Sequence, residues 1–200
     1  MKRVFLVVFL LAFFGIVAAG ILMVRRGFSA REEPSTLEAA VARTIRHLAI
    51  PAEARHAVNL APATSEVIDS ARAHFADHCA GCHGNDGKGQ TEMGRNLYPK
   101  TPDMTALATQ SLTDGEIFWI IKNGVRLTGM PAWGDDSPGS DRASWELVRF
   151  IRHLPQITPD ELEQMEDLNP VSPHAVRERE EIDRFLRGEE ASPEKNRHPH

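Results

Sequence analysis

The sequence predicts an all-α fold with an N-terminal transmembrane helix, a helical domain and a helical C-terminal extension. Three observations support this prediction. The N-terminus holds one uncharged run as long as a membrane-spanning helix. Later segments repeat apolar residues at helical spacing and begin with residues that cap helices. Both cysteines of the chain lie in one short motif, so that no structural disulfide is available.

Residues 1–26 have the composition of a signal-anchor. Lys2 and Arg3 precede an uncharged run from Val4 to Val24, and 21 helical residues span roughly 30 Å, the thickness of a hydrocarbon core. A cleaved signal peptide has a shorter apolar region before a small-x-small site. Val17-Ala18-Ala19 resembles such a site but is followed by more apolar chain. We therefore predict an uncleaved anchor, with a cleaved signal as the alternative.

Residues 27–63 are expected to be a linker that carries one amphipathic helix. Thr36 can cap a helix that runs to about Ala49 and is followed by Pro51. One face of this helix is apolar, with Leu37, Val41, Ile45 and Leu48 at helical spacing. We expect this face to pack in the core, and docking on a membrane partner is the alternative. Residues 52–63 are expected to be linker.

A further helix, capped by Thr64 or Ser65, leads directly into Cys79-Ala80-Gly81-Cys82-His83. A C-x-x-C-H motif is typical of c-type haem attachment, because two intervening residues let both thiols reach one porphyrin edge. His83 then lies where its imidazole can bind iron. A zinc site, a thioredoxin-like pair and a disulfide are the alternatives. They are disfavoured because no second ligand pair follows, no βαβ context is found, and a disulfide would be strained.

Two more helices are expected beyond a loop that is rich in glycine and proline at residues 84–111. Thr113 and Glu116 form a capping-box pattern for a helix that ends at Asn123-Gly124. Asp141 is the expected cap of a helix through Leu154.

Residues 156–188 are predicted to form a helical extension. Its first helix has a capping box at Thr158-Pro159-Asp160-Glu161 and stops at Asn169-Pro170. Its second helix is expected to begin at Ser172-Pro173 and end at Gly188. Residues 189–200 are expected to be a disordered tail, and weak metal binding by His198-Pro199-His200 is the less favoured interpretation.

Four segments in order resemble class I, mono-haem c-type cytochromes: CAGCHG at 79–84, NDGKG at 85–89, NLYPKTPDMT at 96–105 and KNGVRLTGMPAWG at 122–134. The resemblance covers roughly residues 64–155. It implies a cytochrome c-like helical domain around one haem c, attached covalently through Cys79 and Cys82. It also implies that the first and last helices of the domain cross, with Ala71 standing where the family has glycine and Phe150 as its expected partner.

The iron needs a second axial ligand besides His83, and Met130 is the best candidate. Gly129 permits close backbone approach to a flat ligand, and Pro131 stiffens the loop. The family pattern implies the same residue, and a thioether ligand raises the potential of the iron. Weaker candidates are Met93, Met104 and Met165, whereas His74 and His78 are expected on the surface.

A haem with His and Met ligands has no open coordination position, so we predict a one-electron carrier and not an enzyme. Its expected partners are respiratory or dehydrogenase complexes. The chain carries a net charge of −5 and no basic run interleaved with aromatics, which disfavours nucleic acid. Two alternatives stay open: a fixed haem subunit of a larger membrane oxidoreductase complex, and a five-coordinate haem sensor or peroxidase.

The expected location is the cytoplasmic membrane of a bacterium, with a single span and the haem domain in the periplasm. Arg25, Arg26 and Arg31 outnumber Lys2 and Arg3, so the positive-inside rule alone would place the C-terminal side in the cytoplasm. The family resemblance implies haem attachment after secretion, and on that ground we expect the opposite orientation.

Overall fold

In a computed structural model the described residues are 2–27, 29–170 and 173–187, and throughout those ranges the protein is helical without a strand. The predicted all-α class is therefore confirmed. The helices are α1 (Lys2–Arg26), α2 (Thr36–Ala49), α3 (Ala52–Arg55), α4 (Ser65–His78), α5 (Ala80–His83), α6 (Glu92–Asn96), α7 (Leu107–Gln110), α8 (Asp114–Asn123), α9 (Pro138–His153), α10 (Pro159–Glu166) and α11 (Pro173–Leu186). A short 3-10 helix, Leu154–Gln156, follows α9.

The N-terminal helix α1 includes a span, Lys2–Leu22, that is long and apolar enough to cross a membrane. None of this span is buried against the rest of the protein. A helix whose whole circumference is apolar and unpacked is suited to lipid, because every backbone polar group is satisfied within the helix.

The core of the domain predicted over residues 64–155 forms where α4 crosses α9, with α8 packed on α9. Phe75 of α4 and Phe150 of α9 are both fully buried, and their ring centroids lie 5.1 Å apart. Ala71, one turn earlier, is also buried. This is the predicted crossing of the first and last helices. Aromatic pairs at this distance stabilise a core beyond the area they bury.

The segment 50–61 is not the free linker that the sequence suggested. The Ala54 carbonyl lies so close to Gly115 of α8 that a Cβ added to the glycine would be 1.9 Å from its oxygen. Arg149 of α9 donates hydrogen bonds to the carbonyls of Asn59 and Ala61 at 3.0 Å. These contacts fix the segment to α8 and α9. No pattern of apolar residues in the sequence predicts them.

Helix α2 forms as predicted, although its N-cap is Ser35 and Thr36 is the first helical residue. The expectation that its apolar face packs in the core is wrong. No residue of α2, all of which the structure describes, is buried, and the four apolar residues at helical spacing are exposed. Helical spacing predicts which residues share a face, but it does not predict what covers that face.

Helix α9 begins earlier than predicted, because Ser137 and not Asp141 caps it and Pro138 occupies the first helical position. Proline is favoured there because its missing N–H would be unpaired in any case. Residues 84–111 also contain two short helices, α6 and α7, inside the predicted loop.

The extension begins with the predicted capping box, in which Thr158 and Glu161 bond each other's backbone N–H. Its helix α10 ends at Glu166, before the predicted stop at Asn169-Pro170. Met165 of α10 is fully buried in the same core cluster as Phe75. Arg72 of α4 donates to the Gln164 side chain at 2.8 Å. The first part of the extension is thus packed into the core formed by α4, α8 and α9.

Helix α11 is described from Pro173 to Leu186, and Phe185 and Leu186 near its end are exposed. The predicted start at Ser172, the predicted end at Gly188, the predicted disordered tail 189–200 and the His198-Pro199-His200 site lie outside the described residues.

Candidate haem site

The two cysteines and the histidine of the motif share one turn of helix. The backbone N–H groups of Cys82 and His83 both donate to the Cys79 carbonyl, at 3.2 and 2.9 Å. Residues three and four positions apart lie on one side of a helix. Cys79, Cys82 and His83 are therefore presented to the same side, as attachment and ligation of one haem require.

Both motif cysteines are free thiols in the structure. Burial, with a smaller contribution from the Cys82 thiolate, raises the pKa of the Cys79 thiol to about 12. Burial also raises the pKa of Cys82. In the part of the chain that the structure describes, no group of three or more His, Cys, Asp or Glu side chains is arranged to hold a metal ion.

The imidazole of His83 is buried, with 7% of the residue exposed, and the Phe75 ring lies 6.4 Å from it between centroids. Burial lowers the pKa of His83 to about 4, and the Pro102 carbonyl opposes this only in part. The ring is therefore neutral at physiological pH, the form that binds a metal. Its Nδ1 is buried without a well-formed hydrogen bond to any described residue. A buried polar ring in apolar surroundings fits a role as an iron ligand.

The loop that carries Met130 is closed by its own hydrogen bonds. Val125 donates its N–H to the Met130 carbonyl at 3.0 Å, and Met130 donates its N–H to the Thr128 hydroxyl at 3.1 Å. The Thr128 hydroxyl in turn donates to the Val125 carbonyl at 2.7 Å. Gly124 opens the loop at φ +66°, and a Cβ there would be 2.7 Å from the Met130 carbonyl oxygen. Met130 is thus displayed on a tight, self-bonded loop.

One ring contact brings this loop beside the C-x-x-C-H turn. Trp133 lies edge-on to His78, with centroids 5.6 Å apart, and His78 directly precedes Cys79. The Trp133 N–H donates to the Ile121 carbonyl at 3.1 Å, which fixes the end of the loop to α8. The structure therefore places the two predicted halves of the site next to each other. His78 is exposed and His74 is half-buried.

The other methionines differ from Met130 in their surroundings. Met104 and Met165 are buried in the core cluster, where they fill space between helices. Met93 is 58% exposed, and its sulfur lies 3.2 Å from the Cys82 sulfur. Met130 is partly buried and carried by a loop. Met93 is accordingly the alternative candidate for the methionine iron ligand, and an experiment must distinguish it from Met130.

Sequence reasoning missed three residues that hold the ligand loop. Thr128 closes it, and the sequence signal for this role was a threonine in a turn two residues before Met130. Leu97 packs so close to Gly129 that an added Cβ would be 2.7 Å from its side chain. Lys122 lies 3.2 Å from Asp136 and 2.8 Å from Asp141, which ties the end of the loop to α9. The contacts of Leu97 and Lys122 join segments distant in sequence and leave no local signal.

The sequence is similar to those of known proteins. Residues 66–151 match the family described as cytochrome c oxidase, cbb3-type, subunit III. The cbb3-type cytochrome c oxidase subunit FixP of Rhizobium meliloti (strain 1021) is 34% identical in an alignment over 82 residues that covers 38% of this chain and 26% of FixP. The chain thus spans about a quarter of the relative that it matches. The C-x-x-C-H motif, the helical fold and these matches together support a c-type cytochrome domain over residues 66–151.

Proposed function

We propose that the chain transfers single electrons as a membrane-anchored c-type cytochrome with one haem c, held by thioether bonds from Cys79 and Cys82. His83 and Met130 are the proposed iron ligands. The observation that carries the proposal is the contact of Trp133 with His78, because it sets the Met130 loop beside the turn that holds both thiols and His83.

Each of these residues has a distinct part in the function. The haem, when bound, supplies a one-electron ferric/ferrous couple. Neutral His83 offers a nitrogen lone pair, and the thioether of Met130 favours the ferrous state and raises the potential. The packed rings of Phe75 and Phe150 exclude water from the side of His83. Because these side chains are already in position, little rearrangement would be needed when the iron gains or loses an electron.

The proposed ligand set favours electron transfer over catalysis at the iron. If His83 and Met130 both bound the iron, oxygen, peroxide or a gas would have to displace one of them. The hydrogen bonds of Thr128 and Val125 hold the Met130 loop against such displacement. Five-coordinate chemistry is therefore the disfavoured alternative.

The membrane helix α1 would keep the domain close to its redox partners and raise their effective concentration. We place the domain on the periplasmic side of a bacterial cytoplasmic membrane, since c-type haem is attached outside the cytoplasm in the family that the sequence resembles. The partners are respiratory complexes. Because FixP is a subunit of an oxidase, the match also favours a second candidate, a fixed haem subunit of a membrane oxidoreductase complex.

An absorption spectrum of the full chain, produced with the c-type maturation machinery and purified in detergent, tests the ligands. We expect a low-spin c-type spectrum with the weak far-red band of methionine-ligated ferric haem. Met130→Ala should abolish that band, whereas the matched control Met93→Ala should retain it. A band lost in Met93→Ala and kept in Met130→Ala would reverse the assignment. A high-spin spectrum that shifts on addition of carbon monoxide would instead indicate an open iron.

Extraction from the native membrane separates the carrier from the fixed subunit. The mobile carrier is expected to leave the membrane in mild detergent as a free chain with its haem. A stoichiometric complex that survives gel filtration would establish the subunit role. The ligand assignment is independent of this outcome.

A further inference from the structure

Helix α2 presents an apolar stripe to solvent. Leu37, Val41, Ile45 and Leu48 lie along one side of the helix and are 73, 47, 60 and 71% exposed. A stripe of large apolar side chains at helical spacing is unfavourable in water unless something covers it. The contacts between α2 and the haem domain leave this apolar stripe uncovered.

The other side of α2 rests on the haem domain through polar contacts. His47 Nδ1 lies 2.7 Å from Glu116 Oε1 of α8. The Tyr98 hydroxyl donates a hydrogen bond to Glu38. Ala39 and Arg46, which point away from the apolar stripe, are the partly buried residues of the helix. These contacts orient the stripe outward from the domain.

We propose that α2 lies in the lipid interface of the membrane that α1 spans, with its apolar stripe among the upper acyl chains. The position of the helix in the chain supports this occupant. Nine residues, 27–35, separate α1 from α2. An extended chain of that length reaches about 30 Å at most, so that α2 begins close to the headgroups whatever the path of the linker. The helix has the amphipathic pattern of segments that lie in the membrane plane.

The charge of the segment is complementary to anionic headgroups. Residues 25–49 contain five arginines and three glutamates, a net charge of +2, whereas the whole chain has a net charge of −5. Arg43 belongs to α2 itself and is exposed. Arginine stems can lie along an apolar surface while the guanidinium group binds headgroup phosphate. The contacts of His47 and Tyr98 would then hold the haem domain at one orientation above the bilayer.

Photo-crosslinking in vesicles that contain no other protein tests the proposal. The full chain is reconstituted in vesicles of phosphatidylethanolamine and phosphatidylglycerol, with p-benzoylphenylalanine in place of Ile45 or, as the control, of Ala40. Ala40 is exposed on the same helix but lies off the apolar stripe. We expect a phospholipid adduct, detected by mass spectrometry of the α2 peptide, at position 45 and little at position 40.

A second pair of variants tests whether burial of the stripe causes the adduct. With the probe at position 45, Val41→Glu should sharply reduce the lipid adduct, because a carboxylate resists transfer among acyl chains. Ala40→Glu introduces the same charge at a position off the apolar stripe, and it should leave most of the lipid adduct in place. An adduct with a second copy of the chain, or no lipid adduct at position 45, would overturn the proposal. So would equal yields at the two probe positions. The crosslinking result does not depend on which residues bind the haem iron. It is therefore independent of the spectroscopic test of Met130.

Discussion

Replacement of Met165 measures how far the extension belongs to the haem domain. Met165 lies in α10, beyond the region that matches the cytochrome family, yet it is fully buried in the core with Phe75. Truncation of a buried methionine to alanine removes its contacts and leaves a cavity, which costs about 2–5 kcal/mol. A domain of this kind has a total stability of about 5–15 kcal/mol, so that the loss should be obvious.

The assay is urea unfolding of the full-length protein in detergent, followed by haem absorbance. Met165→Ala should lower the unfolding midpoint strongly, and Met165→Leu, which conserves volume, should cost less than about 1.5 kcal/mol. Leu107→Ala is the matched surface control, because Leu107 is 80% exposed and its truncation should change stability by about 0.5 kcal/mol or less.

The absorption spectrum of the same variant provides an independent readout. Met165 is a packing residue in this structure and not the proposed ligand, so that the far-red band should persist in Met165→Ala under native conditions. A chain that ends at Pro155 should likewise keep its ligands and unfold at lower urea. If Met165→Ala cost no more stability than Leu107→Ala, the packing of α10 in the core would be refuted.

Three further predictions concern single residues. Gly115→Ala should destabilise the domain although alanine is favoured in helices by about 1 kcal/mol, because its Cβ would be 1.9 Å from the Ala54 carbonyl oxygen. Gly139→Ala, whose Cβ would lie 3.8 Å from the Ser137 hydroxyl oxygen in ordinary van der Waals contact, is the control in the same urea titration, and equal effects would contradict the close contact. Thr128→Val removes the hydroxyl that closes the ligand loop, at a cost of about 1 kcal/mol, and should lower the temperature at which the far-red band is lost. An unchanged melting profile would show that the Thr128 hydrogen bonds do not stabilise the loop. Burial raises the pKa of Glu116, but hydrogen bonds from the Thr113 N–H and from His47 outweigh it and leave that pKa below its ordinary value of 4.5. Its stabilising contribution is thus present above pH 4.5 and lost as the pH falls through the lower folded-state value. The difference in unfolding free energy between the wild type and Glu116→Gln should shrink as the pH falls below 4.5, and a difference that grew on acidification would contradict this sign.

Features determined by neighbouring residues could be predicted from the sequence. The capping box of Thr113 and Glu116 forms as expected, because both partners lie within one turn. The same holds for the C-x-x-C-H motif, whose one-turn geometry follows from its spacing. Ser137 was missed as the cap of α9 because Asp141 satisfies the same local rule four residues later.

Features determined by distant contacts could not be predicted. The exposed face of α2 has the pattern of a core helix, but the polar contact of His47 with Glu116, 69 residues away, lies on a different side of the helix. The fixing of Gly129 by Leu97 and the packing of segment 50–61 on α8 and α9 depend on long-range contacts in the same way. For the haem site, the sequence was sufficient to propose the ligands but not the residues that hold the Met130 loop.

The position of α2 bears on the orientation of the whole protein. Counted by the positive-inside rule, Arg25, Arg26 and Arg31 favour a cytoplasmic location for the chain after α1, which opposes the periplasmic placement of the haem domain. The rule treats such arginines as topological signals. If α2 lies in the outer headgroup layer, then Arg25, Arg31 and the exposed Arg43 have a second role in binding headgroup phosphate on the periplasmic side. The conflict between charge and haem location is then removed, since the basic residues belong to an interfacial segment and not to a cytoplasmic loop.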